Sequence, residues 1–374
     1  MTRLLVDLVT NIPTPYNQAF FSDMTERVDL RVHYMGLPSN EGRPWGIECM
    51  AGHEAIVYPG FVIKPLGWWN PRLLSDGIRP QTDVLILAGS YLAPTITALM
   101  VRRGTHLRMF WGERQHARRP LVNAIISTLM NRVDMVLAIG EKAATDYRRL
   151  SAGPVHVLPY TVGTPGFCAL GSDRIVGFCG QLIERKGLDL LLRAASGLGD
   201  VSVDVIGSGP DEQVLRALSR HLGVEVNWIG EQTNSDLAAL SDHWTCQVVP
   251  SRYDGWGVVV NEALASGRPV VVSDSVGAVD LVRQGVNGWV AIGGDAESLA
   301  SQLARALARG SSLAVRAAAA ATGAQFASSR AADFLCELLE GSTRPRSFIT
   351  EQWQRYDNLE KQLPGSGPKL GGPA

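Results

Sequence analysis

The sequence predicts an α/β protein built from two Rossmann-like domains whose parallel sheets face a central cleft. Short apolar runs of strand length alternate with segments of helical length through most of the chain. Nearly continuous apolar runs separated by helices are typical of parallel strands that are covered on both faces. A stretch rich in Pro and Gly, 159–173, separates the two series and marks the domain boundary.

The individual strands are predicted from their apolar runs. In the first half they are Leu4–Val9, Leu30–Tyr34, Val84–Leu87, Leu107–Phe110, Val133–Ile139 and Val155–Leu158. In the second half they are Ile175–Cys179, Val201–Ile206, Val224–Trp228, Thr245–Val249 and Pro269–Ser273. Helices are predicted over 121–130, 187–198, 211–222, 235–242 and 258–266 from helical spacing and from their place between strands.

Three units follow from this pattern: an N-terminal domain over 1–163, a C-terminal domain over 164–340, and a helix with a tail over 341–374. The chain is Ala-rich and helical from about 295 to 340. An amphipathic segment, 348–363, is expected to form a helix that returns to the first domain, and the final LPGSGPKLGGPA is expected to be disordered. Because ligands of parallel sheets bind at the carboxyl ends of the strands, the cleft is the expected site.

The charge balance excludes a bulk attraction to nucleic acid, since 35 basic and 36 acidic residues give a net charge of −1. One local run is strongly basic, with Glu113 as its only acid. Its members are Arg102, Arg103, His106, Arg108, Arg114, His116, Arg118 and Arg119. The run is either a solvated helix face or a wall that faces a phosphate, a lipid diphosphate or a membrane surface.

The five cysteines are odd in number, scattered and without a Cys-x-x-Cys pair, which argues against a disulfide framework and a structural zinc site. Asp7 interrupts the first apolar run, and no signal-peptide core follows. Residues 84–101 carry no charge, but Gly89 and Pro94 favour a strand, a turn and a helix over a spanning helix. These features predict a cytoplasmic protein, with peripheral contact at the inner face of the membrane as the remaining option.

The most informative segment is PSRYDGWGVVVNEALASGRPVVVSD, 250–274. It follows a strand, passes through a tight loop and enters a helix. Gly255 and Gly257 flank Trp256, and glycines let the backbone approach a ligand closely. The N–H groups of Gly257 and Val258 would lie at a helix N-terminus, which favours a diphosphate. Asp254 and Glu262 offer two carboxylates that suit the vicinal hydroxyls of a sugar or ribose; a plain βα turn with surface acids is the alternative.

This segment resembles the donor-site signature of the family 4 retaining glycosyltransferases, which have the GT-B fold. The signature is Pro-Ser, then an acid, Gly, an aromatic residue, Gly, and a second Glu eight positions after the first acid. Four further motifs follow the family pattern in order between about 175 and 290: GQLIERKGLDLLL, VIGSGP, WIGEQTNSDLAAL and VNGWV.

The resemblance implies a role for each matching residue. Glu262 would bind the ribose hydroxyls, Asp254 a hydroxyl of the donor sugar, and Lys186 the diphosphate. The backbone of Gly255, Trp256 and Gly257 would contact sugar and diphosphate.

The chain departs from the signature at two positions. Gln181 stands where the family usually has Arg, with Arg185 near enough to compensate, and Asp254 replaces the usual Glu. Both departures put the identity of the donor in question and keep a catalytically silent protein open as a hypothesis.

In the first half, NIPTPYNQAFF (11–21) occupies the place of a family loop that lies against diphosphate and acceptor, with Pro15 and Tyr16 as its candidates. WGERQH (111–116) ends the fourth predicted strand of that half, so Glu113 or His116 is the candidate catalytic side chain near the acceptor, alongside Asp254 at the donor. A solvated basic patch is the alternative for His116.

Other chemistries fit poorly, because the chain lacks a dinucleotide fingerprint, a phosphate-cradling loop, a nucleophile elbow and any Asp-x-Asp metal motif. No cofactor and no metal are expected, and the nucleotide sugar would be a co-substrate. The leading hypothesis is retaining, metal-independent transfer from a UDP- or GDP-sugar to a glycan or lipid-linked acceptor in cell-surface polysaccharide biosynthesis. A nucleotide-sugar 2-epimerase and a silent nucleotide-sugar-binding subunit are the alternatives.

Overall fold

The computed structural model describes residues 3–41, 50–90, 92–102, 104, 106–114, 120–163, 174–232, 240–341 and 344–362. In this part of the chain a seven-stranded parallel sheet forms the N-terminal domain, in the order β3-β2-β1-β6-β7-β8-β9. Its strands are β1 Leu5–Thr10, β2 Asp29–Tyr34, β3 Glu54–Val57, β6 Val84–Ala88, β7 Leu107–Gly112, β8 Met135–Ala138 and β9 Val155–Val157. β4 Phe61–Ile63 and β5 Gly67–Trp69 form a separate antiparallel hairpin.

The C-terminal domain contains a six-stranded parallel sheet in the order β12-β11-β10-β13-β14-β15. Its strands are β10 Ile175–Cys179, β11 Ser202–Ile206, β12 Glu225–Gly230, β13 Cys246–Val249, β14 Val270–Ser273 and β15 Gly288–Ala291. This is the classic dinucleotide-fold order, and the direction of winding reverses between β10 and β13. In the N-terminal sheet the same reversal lies between β1 and β6.

The α-helices of the described residues lie between and after these strands. In chain order they are α1 Pro15–Thr25, α2 Pro94–Val101, α3 Pro120–Met130, α4 Glu141–Arg148, α5 Leu188–Ser196, α6 Glu212–Leu222, α7 Val259–Ala265, α8 Ala296–Arg309, α9 Leu313–Gln325, α10 Ser328–Leu339 and α11 Phe348–Gln362. None of them is long and apolar enough to cross a membrane.

Every strand predicted from the sequence is present, although several end one or two residues from the predicted limits. β3, β15 and the β4–β5 hairpin are not predicted from the sequence, because their strands of three or four residues are too short to stand out. The predicted loop 11–21 is wrong beyond Thr14, because Pro15 occupies the first turn of α1, where its fixed φ suits a helix. Most of the predicted helix 235–242, the linker residues 164–173 and the tail 363–374 lie outside the described residues.

The C-terminal helices return to the N-terminal domain, as expected for 348–363. The Val157 N–H donates to the Arg346 carbonyl at 2.8 Å, next to the start of α11. On the other domain, Trp353 Nε1 donates to the Asp280 carbonyl at 3.0 Å. The helix before it, α10, packs on α1 and places Asp333 2.7 Å from Arg27 Nε. The segment 346–353 therefore contacts both domains.

Candidate functional site

Two loops of the C-terminal domain meet at the carboxyl edge of its sheet. The loop after β10 carries Lys186, and the loop after β13 carries Asp254. These strands are neighbours at the reversal point, where sheets of this class bind their ligands. Lys186 Nζ donates to Asp254 Oδ2 at 2.5 Å, and the two side chains are 19% and 14% exposed. The predicted cation and the predicted carboxylate therefore form one ion pair.

A tight turn at Gly187 and a bidentate ion pair between Arg252 and Asp189 hold these two loops together. Gly187 has φ +72°, and a Cβ there would overlap the Pro250 carbonyl, so the turn needs glycine. The Arg252 guanidinium donates to both carboxylate oxygens of Asp189 at 2.7 Å each. The Arg252 N–H also donates to the Arg185 carbonyl at 2.9 Å. The ion pair is thus preorganised by contacts between the two loops.

Arg185 adds a second cation next to the same carboxylate. Its Nη1 atom lies 3.8 Å from Asp254 Oδ2 and donates to the Tyr253 carbonyl at 2.9 Å. The Arg185 side chain is 42% exposed, so it can turn toward a ligand more readily than Lys186. Two cations beside one acid leave a net positive charge, which suits an anionic group such as a diphosphate.

Gln181, which stands where the resembled family has Arg, is exposed at the start of the same loop. Its carbonyl accepts a hydrogen bond from the Ile183 N–H at 3.0 Å. The neighbouring Gly180 lies against the stem of Lys186, since a Cβ built on Gly180 would be 3.9 Å from Lys186 Cδ. The residue at this position is therefore uncharged, and Arg185 is the second cation of the loop.

Glu113 comes from the other domain and reaches the same place. It follows β7, and its carboxylate is so close to Gly255 that a Cβ on that glycine would overlap Glu113 Oε2. The Glu113 carbonyl accepts a hydrogen bond from the Tyr147 hydroxyl at 3.0 Å. The glycine at 255 thus gives the acid of the N-terminal domain room to face the donor-side loop.

The surroundings of Glu113 change its protonation. Partial removal of water by the surrounding protein and the nearby charge of Asp254 raise the pKa of Glu113 to about 7, against the opposing effect of Arg185 and Lys186. The residue keeps solvent access along the cleft. A carboxyl group with this pKa is present in both protonation states near neutral pH, which suits a group that gives or takes a proton.

Glu262 lies one turn into α7, as predicted, and is half-buried. Burial raises the pKa of Glu262 to about 7. Among the described residues its carboxylate has neither a cation nor a hydrogen-bond donor. A half-buried carboxyl group in this state can gain from hydroxyl donors of a ligand.

Trp256 faces inward, not into the cleft. Its indole is 1% exposed, and Nε1 donates to Asn261 Oδ1 at 2.9 Å. The Asn261 amide then donates to the Tyr160 carbonyl of the linker at 3.1 Å. On the N-terminal side the ring packs against Gly140, where a Cβ would lie 2.9 Å from Trp256 Cζ3. Only backbone groups of 255–257 are therefore left for the ligand contacts that the resemblance implies.

The remaining predicted site residues lie at the starts of helices or outside the described residues. Gly257 has φ +89°, and the Val258 carbonyl accepts from the Glu262 N–H at 3.1 Å as α7 begins. Pro15 opens α1, and the Tyr16 ring lies 5.2 Å from that of Tyr160. His116 lies outside the described residues, as do Arg103, Arg118 and Arg119 of the basic run.

Contacts that the sequence does not predict join the two domains beside this site. The Glu141 N–H at the start of α4 donates to Asp280 Oδ2 at 2.8 Å. Lys142 donates to the Asp274 carbonyl. Tyr160, which the sequence places in the linker, packs on Tyr16 and Trp111. The one signal in the sequence for a contact between the domains is the Gly140-Glu141 turn, because the free N–H groups of the helix start that follows can bind an acid.

Known proteins resemble the chain most clearly in its second half. Residues 169–323 match the family model described as Glycosyl transferases group 1. The D-inositol 3-phosphate glycosyltransferase of Mycobacterium sp. (strain KMS) is 36% identical over 162 residues, which are 40% of this chain and 36% of that protein. The GDP-mannose-dependent alpha-mannosyltransferase of Corynebacterium glutamicum is 30% identical over 118 residues, which are 32% and 27% of the two chains. The chain thus spans about a third of the length of the curated relatives it matches.

The fold extends the likeness to the whole molecule. The crystal structure of Anabaena HepE in complex with UDP matches with a TM-score of 0.73 at 16% identity, covering 91% of this chain and 100% of that chain. At 16% identity the match is evidence for a shared fold only. The two facing Rossmann-like domains are those of the GT-B fold, and the predicted fold class is confirmed.

Proposed function

Because residues 169–323 match the family model described as Glycosyl transferases group 1, we propose that the chain is a glycosyltransferase that uses a nucleotide-sugar donor. The observation that carries the proposal is the cluster of Lys186, Arg185 and Asp254 on one wall of the cleft with Glu113 opposite. A diphosphate bound by the two cations would place its sugar between the two acids.

The proposed donor is a UDP- or GDP-sugar. One relative is named for its dependence on GDP-mannose, and the structure of Anabaena HepE contains UDP, so both nucleotides stay in the proposal. Glu262 would accept hydrogen bonds from the ribose hydroxyls, and Lys186 with Arg185 would bind the diphosphate. Gln181 would contribute an amide hydrogen bond to the same phosphates. The backbone groups of 255–258 would line the sugar and the phosphates.

The proposed reaction retains the anomeric configuration and needs no metal. Lys186 would stabilise the negative charge that develops on the departing diphosphate, which lowers the free energy of the transition state. An oxygen of that leaving group would take the proton of the acceptor hydroxyl on the same face of the sugar. Asp254 would accept a hydrogen bond from a hydroxyl of the donor sugar, and its ion pair with Lys186 would weaken as it does so.

The proposed acceptor is a glycan or a lipid-linked sugar used in cell-surface polysaccharide biosynthesis, in the cytoplasm or at the inner face of the membrane. Its hydroxyl would enter from the side of Glu113, with Tyr16 and Pro15 at the margin of that entrance. His116 is proposed on the same side from its position in the sequence.

One observation favours a second function. Glu113, whose pKa is raised to about 7, faces Asp254 across the place of the donor sugar, and a pair of acid and base groups around a sugar is what a nucleotide-sugar 2-epimerase needs. A sugar nucleotide of altered stereochemistry, formed without any acceptor, would support this alternative. A silent binding subunit would bind nucleotide without turnover on any acceptor.

The test is a thermal-shift titration with UDP, GDP and ADP on the wild type, on Glu262→Ala and on Glu297→Ala, an exposed glutamate of α8 as the matched control. A ligand at 100 times its dissociation constant stabilises by about 2.7 kcal/mol, which raises the midpoint by several degrees. We expect one nucleoside diphosphate to do so in the wild type and the control but not in Glu262→Ala. If none does, or if Glu262→Ala responds fully, the proposal fails.

A further inference from the structure

Asp280 of the C-terminal domain caps a helix of the N-terminal domain. Helix α4 begins after Gly140, which has φ +95° and no side chain to accept from the N–H groups of the first turn. Asp280 Oδ2 serves instead, because it accepts from the Glu141 N–H at 2.8 Å. A carboxylate in this place stabilises a helix by its hydrogen bond and by its charge at the positive end of the helix. One domain therefore supplies the cap that the other lacks.

The two domains approach closely enough at this point to require glycine. A Cβ on Gly140 would lie 2.9 Å from Trp256 Cζ3 and 3.2 Å from Asp280 Oδ2. The cap and the donor-side loop therefore meet the same turn of the N-terminal domain.

The segment that carries Asp280 is hydrogen-bonded to the loop that carries Asp254. The Gly277 N–H donates to the Asp254 carbonyl at 3.1 Å, and the Ala278 N–H donates to the Trp256 carbonyl at 2.7 Å. These bonds join the loops that follow β13 and β14, two neighbouring strands of the C-terminal sheet. The backbone at Asp280 is thus fixed relative to the donor-side acid.

On the other side of the contact, α4 connects the cap to Glu113. Tyr147 lies within two turns of Glu141 on this helix, is fully buried, and donates from its hydroxyl to the Glu113 carbonyl at 3.0 Å. Its ring packs edge to face on Phe110 of β7, with the ring centroids 5.9 Å apart. Because backbone hydrogen bonds join the first turn of α4 to Tyr147, a shift of the helix start also shifts the hydroxyl that holds Glu113.

We propose that Asp280 is a positioning residue, which holds Glu113 opposite Asp254 by capping α4. The contacts run from Asp254 to Asp280 within the C-terminal domain. They continue from Asp280 to Glu141 of the other domain and along α4 to Glu113. The Glu113 carboxylate then faces Gly255, next to the starting point. That the two acids serve glycosyl transfer rests on the proposed function; their positioning by Asp280 does not.

The Asp280 carboxylate is not needed to keep the domains together. Lys142 donates to the Asp274 carbonyl, and Trp353 Nε1 donates to the backbone carbonyl of Asp280, which every substitution retains. Loss of the carboxylate therefore leaves the domains joined, and its expected effect is on the place of α4 and of Glu113.

The experiment is a double-mutant cycle, with thermal unfolding measured at about pH 8 for the wild type, Glu113→Gln, Asp280→Ala and the double variant. Burial and Asp254 raise the pKa of Glu113 to about 7 against Arg185 and Lys186, so Glu113→Gln should raise the midpoint at this pH. We expect this rise to fall by about half or more in the Asp280→Ala background, because a displaced Glu113 is better hydrated and ionises more easily. A purely structural cap would leave the rise unchanged.

Two controls separate positioning from the loss of a cap or of a charge. Asp295→Ala removes the cap of α8, where the carboxylate accepts from the Glu297 and Ser298 N–H groups at 2.9 and 3.0 Å, and the rise should persist there. Asp280→Asn removes the same charge as Asp280→Ala but keeps an oxygen for the Glu141 N–H, so it should preserve most of the rise.

Tyr147→Phe tests the other end of the same path and serves if Asp280→Ala does not fold. It removes the hydroxyl that holds Glu113, and we expect it to reduce the rise as well. The proposal is overturned if Glu113→Gln raises the midpoint equally in the wild type and in Asp280→Ala or Tyr147→Phe. It is also overturned if the wild type shows no rise, since Glu113 would then not be held beside Asp254.

Turnover gives a second readout. Asp280→Ala should lower kcat about tenfold with the KM for the nucleotide sugar unchanged, Asp280→Asn should restore most of it, and Asp295→Ala should equal the wild type. Unfolding is measured without substrate, so the two ideas fail separately. A wild type that binds no nucleotide contradicts the proposed function, whereas an unchanged rise in Asp280→Ala contradicts the positioning.

Discussion

The two walls of the cleft share a strand topology but differ in charge. The C-terminal wall carries the cations Lys186 and Arg185, fixed by contacts between loops, whereas the wall from the N-terminal domain carries Glu113 near Tyr160, whose ring packs on that of Tyr16. Loops at the carboxyl ends of parallel strands therefore carry opposite charges on the two walls. The fold thus provides the cleft, while loop residues set the charge of each wall; on the proposed function the cationic wall would bind the diphosphate and the other wall the acceptor hydroxyl.

The largest effect is expected from the cationic wall. Lys186→Ala should lower kcat by about 10² to 10³-fold, the usual loss when one preorganised group that stabilises a developing anion is removed. The measurement is steady-state turnover of the nucleotide sugar with a water-soluble acceptor. Lys64→Ala, a lysine of the distant hairpin, is the control and should leave turnover unchanged. An unaffected Lys186→Ala would place the diphosphate elsewhere and remove the asymmetry between the walls.

A smaller effect should come from closing the space between the walls. In Gly255→Ala the new methyl group would overlap Glu113 Oε2, so the carboxylate must turn away from the donor-side loop. We expect kcat/KM for the acceptor to fall about tenfold, while the midpoint of unfolding stays near the wild-type value because only the end of a side chain moves. The control is Gly197→Ala, where the nearest atom to the new Cβ is 4.0 Å away. Equal activity of the two variants would exclude a role for the position of Glu113.

The sequence predicted most of what this comparison needs, because strands and helix starts are local features. The run Ile175–Cys179 matches β10 residue for residue, and both Lys186 and Asp254 were assigned to the cleft. Their ion pair could not be predicted, because it depends on contacts between distant segments. The Gly187 turn packs on Pro250, and Arg252 forms a bidentate ion pair with Asp189. Contacts between residues more than 60 positions apart leave no periodic signal in one sequence.

Trp256 illustrates a second limit. The flanking glycines predict a backbone close to a ligand, but they do not predict the direction of the indole. The indole turns toward Asn261, whose buried Oδ1 accepts its hydrogen bond. Gly140 of the other domain completes the pocket for the ring. A large aromatic side chain gains more free energy from such burial than from a place in solvent. Domain contact, rather than the donor motif, therefore explains why the ring is turned inward.

The smallest and most specific effect should appear in the pH dependence of stability. The pKa of Glu113 is raised to about 7 in the folded protein, above its ordinary value near 4.3. Ionisation is therefore harder in the folded state, so stability is lost as the pH rises from the unfolded pKa through the folded one, and the loss is complete above about pH 7.

Glu113→Gln, which cannot ionise, should therefore have a higher unfolding midpoint than the wild type at about pH 8, and the difference should shrink as the pH falls and vanish below the unfolded pKa of about 4.3. The measurement is thermal unfolding in matched buffers, with Glu297→Gln on the exposed surface of α8 as the control. Because Glu113 keeps access to solvent, the shift should be only a few degrees. A lower midpoint for Glu113→Gln than for the wild type at about pH 8 would mean that Glu113 is stabilised as a carboxylate, and the wall of the N-terminal domain would then be anionic rather than able to exchange a proton.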